Sequence, residues 1–292
     1  MGKRPGAKYA AVQRLNTLMA DHQKRMTAKD EARARGESLF AFTDNKIHAF
    51  ESRNNYQKIV MRFIDWVRDQ HNIRDLARID LEADELASLY LLERIERDYS
   101  AWTLATERSA LRMFFQDRTL TDCVELPKRR REDITRSRWP AIRDKHINPE
   151  NWQHVINFCL ACGLRREELR DLRVHEVYPR PSDHRLVVCV RHGKGGKDRQ
   201  VPVFPGREQA VLSQVTGRSP GEHVFTKISG NLDIHSYRRE FAQQLYEHLS
   251  GKPLPPLTGR LQSANLDRDA ALYVSRCLGH NRIDIIFGHY IR

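Results

Sequence analysis

The sequence predicts a mainly α protein with a small β component, built as an all-helical domain followed by a mixed α/β domain. Three observations carry this expectation. The chain is 292 residues long, which corresponds to about two domains, because single cores rarely grow so large. Apolar residues recur at spacings of three and four through the first half, whereas β-branched runs are confined to one stretch around residue 190. Between the two regions lies a proline-bounded basic segment without apolar periodicity.

Composition limits the function classes. Hydrophobic residues make up 40% of the chain, enough to build real cores, and the 30% that are charged spread along its whole length. No apolar run approaches the roughly 20 residues of a spanning helix, so no membrane partner is expected. Met1-Gly2-Lys3-Arg4-Pro5 is basic but lacks a following apolar stretch. It does not resemble a secretory signal, and a cytoplasmic, nucleoid-associated protein is expected. The cysteines at 123, 159, 162, 189 and 277 are odd in number and sit mostly in apolar stretches, as reduced core thiols do. One CxxC, Cys159 to Cys162, has no second pair and predicts no zinc site.

The charge is strongly asymmetric. Lys and Arg total 50 against 38 Asp and Glu, a net +12, with an isoelectric point near 9.7, which favours a polyanionic partner, nucleic acid above all. The surplus is clustered: Lys128, Arg129, Arg130 and Arg131 open a run that continues through Arg136, Arg138, Arg143 and Lys145. These are expected to lie along phosphates, in a linker spanning residues 127–147. Trp139 and Trp152 flank that stretch, either stacking on sugars or bases or serving as hydrophobic anchors. Residues 1–44 form a second basic zone with helical spacing from Lys3 to Arg35, either a DNA-touching arm or a solvated helix.

Taken in order, the elements are as follows. Tyr56, Ile59, Val60, Phe63, Ile64 and Val67 mark one face of a helix. A second helix runs through Leu86, Leu89, Tyr90 and Ile95, and a third through Leu104, Leu111, Phe114 and Phe115. Residues 45–126 therefore read as a small helical domain suited to gripping DNA. In residues 148–292, Pro149-Glu150 opens a helix that breaks at Gly163, and another runs from Arg165 to Leu172. Leu186 to Val190 and Val201 to Phe204 read as two strands joined by a glycine-rich tip, His192 to Arg199. The tip invites phosphate, with Lys197 and Arg199 as expected DNA contacts. Helices over about Ser236–Leu249 and Arg268–Leu278 follow, separated by a Pro-rich polar loop.

Several short motifs stand in a telling order: Gly163-Leu164-Arg165-Arg166-Glu167-Glu168, Gly193-Lys194-Gly195-Gly196-Lys197, His235-Ser236-Tyr237-Arg238, Leu278-Gly279-His280, and Tyr290. Each alone has an ordinary structural explanation, as a surface arginine, a hairpin, a capping histidine or a core tyrosine. Together they resemble the tyrosine recombinases of the phage-integrase type, over about residues 148–292. The ending from Leu278 to Tyr290 is most similar to integrases of bacterial integrative mobile elements. The N-terminal half matches that family only in character, as a helical core-binding domain followed by a basic linker.

The resemblance implies a site-specific recombinase with a SAM-like core-binding domain and a DNA breaking-rejoining catalytic domain. Arg165 and Arg238 would clamp the non-bridging oxygens of one phosphate, for which planar guanidinium groups are suited. Lys194 would protonate the leaving 5′ oxygen, and His235 and His280 would bind the phosphate and shuttle protons. Tyr290 would be the nucleophile, giving a 3′-phosphotyrosyl enzyme without any cofactor or metal. Glu168 would brace the site from behind. The implied partners are duplex DNA with its attachment sites, further copies of the chain as a tetramer on DNA, and accessory bending or excision factors. In solution a monomer is expected.

The sequence departs from the family pattern in three places. The interval from Arg238 to His280 is long and holds Lys252-Pro253-Leu254-Pro255-Pro256, read as an inserted loop. His280 and Tyr290 are one residue further apart than is usual, which brings His289 into play as a contact and leaves Tyr273 as the nearby competitor. Two residues follow Tyr290, so subunit coupling is expected to be made differently from relatives with a long C-terminal segment, or the chain to be truncated. The rival readings are a type IB topoisomerase or resolvase, a non-catalytic sequence-specific DNA-binding protein on the same fold, and an RNA-binding basic protein.

Overall fold

The computed structural model describes the chain except residues 1–5, 21–22, 24, 39–41, 131–143, 145, 194–196, 257–265 and 292, and the side chains of His192 and Lys197. The chain divides into two compact units, Met1–Arg131 and Glu132–Arg292. The architecture is mostly helical with one small sheet. Among the described residues no helix is long and apolar enough to cross a membrane.

The first unit holds α1 (Ala7–Thr17), α2 (Arg25–Ala34), α3 (Phe50–His71), α4 (Leu76–Leu81), α5 (Ala83–Glu96) and α6 (Ala101–Phe115). The apolar face read from Tyr56 to Val67 is the buried stripe of α3, where Ile59, Val60, Phe63, Ile64 and Val67 are all in the core. Side-chain caps start two of its neighbours: Asp75 accepts from the Ala77 amide and Ser100 from the Thr103 amide. A two-bond ion pair, Arg94 to Glu107 at 2.6 and 2.8 Å, joins α5 to α6 inside the unit.

The N-terminal basic zone is neither a detached arm nor a fully solvated helix. Ala7, Ala11, Leu15 and Leu18 share one core with Val60, Phe63 and Phe114, and Arg14 makes two bonds to Asp80 at 2.6 and 2.7 Å. The cations of α1 lie on the solvent side and hide an apolar stripe of small residues.

In the second unit, Asn148 caps a 3₁₀ turn at Pro149–Trp152 that leads into α7 (Gln153–Cys162), followed by α8 (Arg166–Asp171). Three antiparallel strands follow in the order β1 (Val177–Pro179), β2 (Leu186–Gly193) and β3 (Lys197–Pro202). Val188 pairs with Val177 on one side and Val201 on the other. Then come α9 (Glu208–Leu212), α10 (Ile234–Ser250), α11 (Arg268–Cys277) and α12 (Ile283–His289).

The hairpin strands run further toward the tip than their composition predicts, because polar Lys197 to Gln200 pair with Cys189 to Gly193. Val203 keeps one bond to the sheet, its amide to the Leu186 carbonyl at 2.9 Å, whereas Phe204 leaves it and its amide bonds to the Ala161 carbonyl at 2.8 Å. Cys159, Cys162, Cys189 and Cys277 are buried free thiols, while Cys123 is exposed. Burial pushes Cys159 and Cys277 up to about 12, so neither carries thiolate chemistry at neutral pH.

Helices α7 and α10 form the middle of this unit, with Phe158, Phe241 and Tyr246 in its core. Gly163 ends α7 in the left-handed region at φ +57. A Cβ there would stand 2.2 Å from the Phe241 ring, so the glycine is required both by the turn and by close helix approach. Gly163→Ala should lower unfolding free energy by about 2–4 kcal/mol through overpacking and backbone strain. Gly230→Ala, in open space, should change it by less than about 0.5 kcal/mol in the same urea titration. Equal stabilities for the two variants would contradict this packing.

Candidate active site

The site is assembled at the C-terminal end of α11. A helix leaves its last carbonyls unsatisfied and carries partial negative charge there. Here arginine side chains from distant segments take them up. Arg199 on β3 donates its Nε to the Cys277 carbonyl at 2.8 Å. The Leu278 carbonyl accepts from Arg165 Nη2 at 3.0 Å and from Arg238 Nη2 at 2.6 Å. Gly279 then reverses the chain at φ +71, and the amides of Gly279 and His280 bond back to the Arg276 and Ser275 carbonyls. A Cβ on Gly279 would meet the Arg199 side chain at 3.3 Å, which gives a packing reason for the glycine in Leu278-Gly279-His280.

Glu168, in the first turn of α8, binds the same cations from below. Its carboxylate accepts from Arg199 at 2.7 and 2.9 Å. It also accepts from Arg165 Nη1 at 2.7 Å and from the Arg165 amide at 2.8 Å, and Arg238 Nη1 lies 3.9 Å away. Burial alone would raise the pKa of this carboxyl. The bonds and charge of Arg199, the Arg165 amide and Arg238 overcome that and hold it at about 2.

Arg238 and His235 both come from the start of α10, where Asp233 caps the Ser236 amide at 3.1 Å. Arg238 is completely buried. It donates to the Gly163 carbonyl and, through Nε, to the Tyr290 hydroxyl at 3.3 Å. Burial lowers its pKa, against the opposing effect of Tyr290 and Glu168. His235 lies at the solvent edge; partial burial, then Arg239 and Arg238, lower its pKa and keep its ring neutral at pH 7.

Tyr290 closes the arrangement. It follows α12, is 4% exposed, and its hydroxyl lies 3.2 Å from His280 Nε2. The rings of His280 and His235 stand 5.6 and 5.9 Å from its own. Because Arg238 donates to the hydroxyl oxygen, the phenol proton is free to point at His280 Nε2 in the tautomer that leaves that nitrogen bare. Gln243 of α10 holds the Tyr290 carbonyl at 3.0 Å and so fixes the register of the residue.

A cavity of about 590 Å³ opens beside these groups, with Arg165, Arg166, Arg191, His235 and Arg238 in its wall. Glu167, Glu168, Asp171 and Asp233 share that wall, so its arginines are partly balanced; a phenol with a base in reach beside such guanidinium groups suits attack on a phosphoryl centre. Among the described residues no group of His, Cys, Asp and Glu is arranged to hold a metal.

The structure therefore brings together Arg165, Glu168, His235, Arg238, His280 and Tyr290. Lys194, Arg131, Arg136 and Arg138 lie outside the described residues, as do Trp139 and the side chain of Lys197. Lys128, Arg129 and Arg130 are exposed. Arg199, expected as a DNA contact from its place near the tip, has its guanidinium turned inward onto Glu168 and the Cys277 carbonyl. Tyr273 lines a second cavity with Arg180 and Arg276, His289 is exposed, and Trp152 packs against the core. Sequence reading missed Gln243 and the bracing by Arg199. The alternation of β3, which turns residue 199 to the same side as Val201, was the available signal for the second.

Residues 43–119 match the family described as phage integrase, N-terminal SAM-like domain. No curated protein matches the chain. Among solved structures, the Tn1549 transposon integrase in complex with circular intermediate DNA is 15% identical, covering 97% of this chain and 95% of that one, at a TM-score of 0.48. The XerH site-specific recombinase bound to palindromic difH substrate is also 15% identical, covering 97% and 91%, at 0.43. XerA recombinase is 14% identical, covering 97% and 94%, at 0.31. The chain thus resembles tyrosine recombinases, in its motifs and in the matched N-terminal domain.

The depressed pKa of Glu168 makes a stability prediction. A carboxyl held at about 2 instead of 4.5 contributes stability that is fully present above pH 4.5 and lost as pH falls toward 2, about 3 kcal/mol in all. Glu168→Gln removes this contribution. The stability gap between wild type and Glu168→Gln, from urea titrations, should be largest near pH 6 and shrink by up to that amount toward pH 2. A gap independent of pH would contradict the assigned pairing.

Proposed function

We propose that this chain is a site-specific DNA recombinase that cleaves and rejoins duplex DNA through Tyr290, integrating or excising a mobile element. The observation that carries the reading is convergence. Arg165, Arg238, His280 and Tyr290 come from four separate segments and meet within 3.5 Å of one another in the chain Arg165–His280–Tyr290–Arg238.

In the proposed step, the Tyr290 oxygen attacks the scissile phosphorus while its proton passes to His280 Nε2. The bond from phosphorus to the 5′ oxygen breaks, and Lys194 gives that oxygen a proton. A 3′-phosphotyrosyl ester and a free 5′ hydroxyl result, with no net oxidation and no water consumed. Arg165, Arg238 and His235 stabilise the charge on the non-bridging oxygens, which is the main catalytic requirement of phosphoryl transfer. Attack by a 5′ hydroxyl from another strand reverses the chemistry and joins the new partners. Every group needed is a side chain of the protein, so the reaction proceeds without a metal.

The remaining assignments belong to the same proposal. Residues 45–126 are the core-binding domain, 127–147 the basic linker, with Lys128 to Arg138 on the DNA backbone, and 148–292 the catalytic domain. The chain is a monomer in solution and a homotetramer on paired DNA sites, assisted by bending or excision factors, in the cytoplasm at the nucleoid.

Incubation with supercoiled DNA carrying the element's ends, in EDTA and stopped with detergent, should yield a covalent protein–DNA adduct. Tyr290→Phe should abolish the adduct while DNA affinity stays within about twofold, since the phenol oxygen makes no ground-state contact that binding depends on. Tight salt-sensitive binding with no adduct from wild type would favour the non-catalytic DNA-binding reading instead.

A further inference from the structure

We propose that Asp144 is a positioning residue for the phosphate-binding turn of α10. Asp144 lies inside the basic run, between Arg143 and Lys145, and reads in sequence as one of the few charges opposing it. Its placement is unlike that of a surface counter-ion. The residue is 6% exposed and takes the left-handed backbone conformation at φ +55, which aspartate adopts more readily than most residues. Its two carboxylate oxygens reach across 89 and 93 residues of sequence. One accepts the Asp233 amide at 2.7 Å; the other accepts the Tyr237 hydroxyl.

Those two donors bracket the start of α10. Asp233 is its N-cap, with its own carboxylate on the Ser236 amide, and Tyr237 precedes Arg238. Held at both ends by one carboxylate, the turn from 233 to 238 has its axial position and its rotation fixed. That turn supplies His235 to the cavity and Arg238 to the Tyr290 hydroxyl. A guanidinium and an imidazole that must meet one phosphate tolerate little displacement, and a misplacement of about 1 Å can cost ~100-fold in rate. Asp144 makes no bond to His235, Arg238 or Tyr290 themselves; it acts through the Asp233 amide and the Tyr237 hydroxyl on either side of them. The inference rests on the reading of His235 and Arg238 as phosphate-binding groups.

The test compares Asp144→Ala, Asp144→Asn and Tyr237→Phe in the full chain, each first measured for thermal midpoint. Asn keeps the side-chain shape and an acceptor for the Asp233 amide; Ala keeps neither bond. Under saturating protein, Asp144→Ala should form the covalent DNA adduct at least ~10-fold more slowly with DNA affinity within about twofold, Asn should restore the rate to within about threefold, and Tyr237→Phe should fall between. Hydrogen exchange of the amides from 233 to 238 should rise about tenfold in Ala and not in Asn. Should Ala fail to fold, Tyr237→Phe carries both readouts. An adduct rate equal to wild type in the folded variants overturns the inference. If wild type itself forms no adduct, the recombinase reading fails, and exchange alone decides the positioning: faster in Ala supports it, unchanged overturns it.

Discussion

The end of α11 and the carboxylate of Glu168 together allow three guanidinium groups to leave water at one place, and the geometry of the site follows from that. Arg238 is wholly buried, and the side chains of Arg199 and Arg165 are 10% and 22% exposed. Removing such cations from water is expensive unless each donor finds an acceptor and the charge is balanced. One carboxylate cannot balance three cations. The carbonyls of Cys277 and Leu278 supply the remaining acceptors, at a helix end whose dipole favours positive charge. Pairs of this kind seldom add stability over a well-packed apolar core.

The constraint also explains what surrounds it. Gly163 must be glycine so that α7 can turn against Phe241 and present its carbonyl to Arg238. Gly279 must be glycine so that the chain can turn beside Arg199 and deliver His280. The short helix α12 then returns Tyr290 to Arg238, and Gln243 fixes its backbone. The Tyr290 hydroxyl thus lies shielded from bulk water, between a donor, Arg238, and a base, His280.

Much of this was legible in the sequence, for identifiable reasons. The long periodic stripe of α3 and the apolar run of β2 are local signals, and both became elements of the fold. The motif residues Arg165, Glu168, His235, Arg238, His280 and Tyr290 met because the order of short motifs reflects one spatial arrangement. The sequence was misleading where a residue's role depends on what lies across from it. Arg199 sits near a basic tip yet points inward, because Glu168, far away in sequence, draws it there. The helix α1 reads as a basic arm or a solvated helix because its buried stripe is mostly alanine, a weak apolar signal, although Ala11 and Leu15 are fully buried. β1 and α12 were too short to show a period, and tertiary contacts define them.

The central claim is that a single phenol, that of Tyr290, becomes the carrier of the DNA strand. Mass spectrometry of the protease-digested adduct locates the attached nucleotides directly. The proposed reaction predicts attachment to the phenolic oxygen of Tyr290 in the C-terminal peptide, through a 3′-phosphate. Attachment at Tyr273 or at any other residue, or a 5′-phosphate linkage, would contradict the assignment.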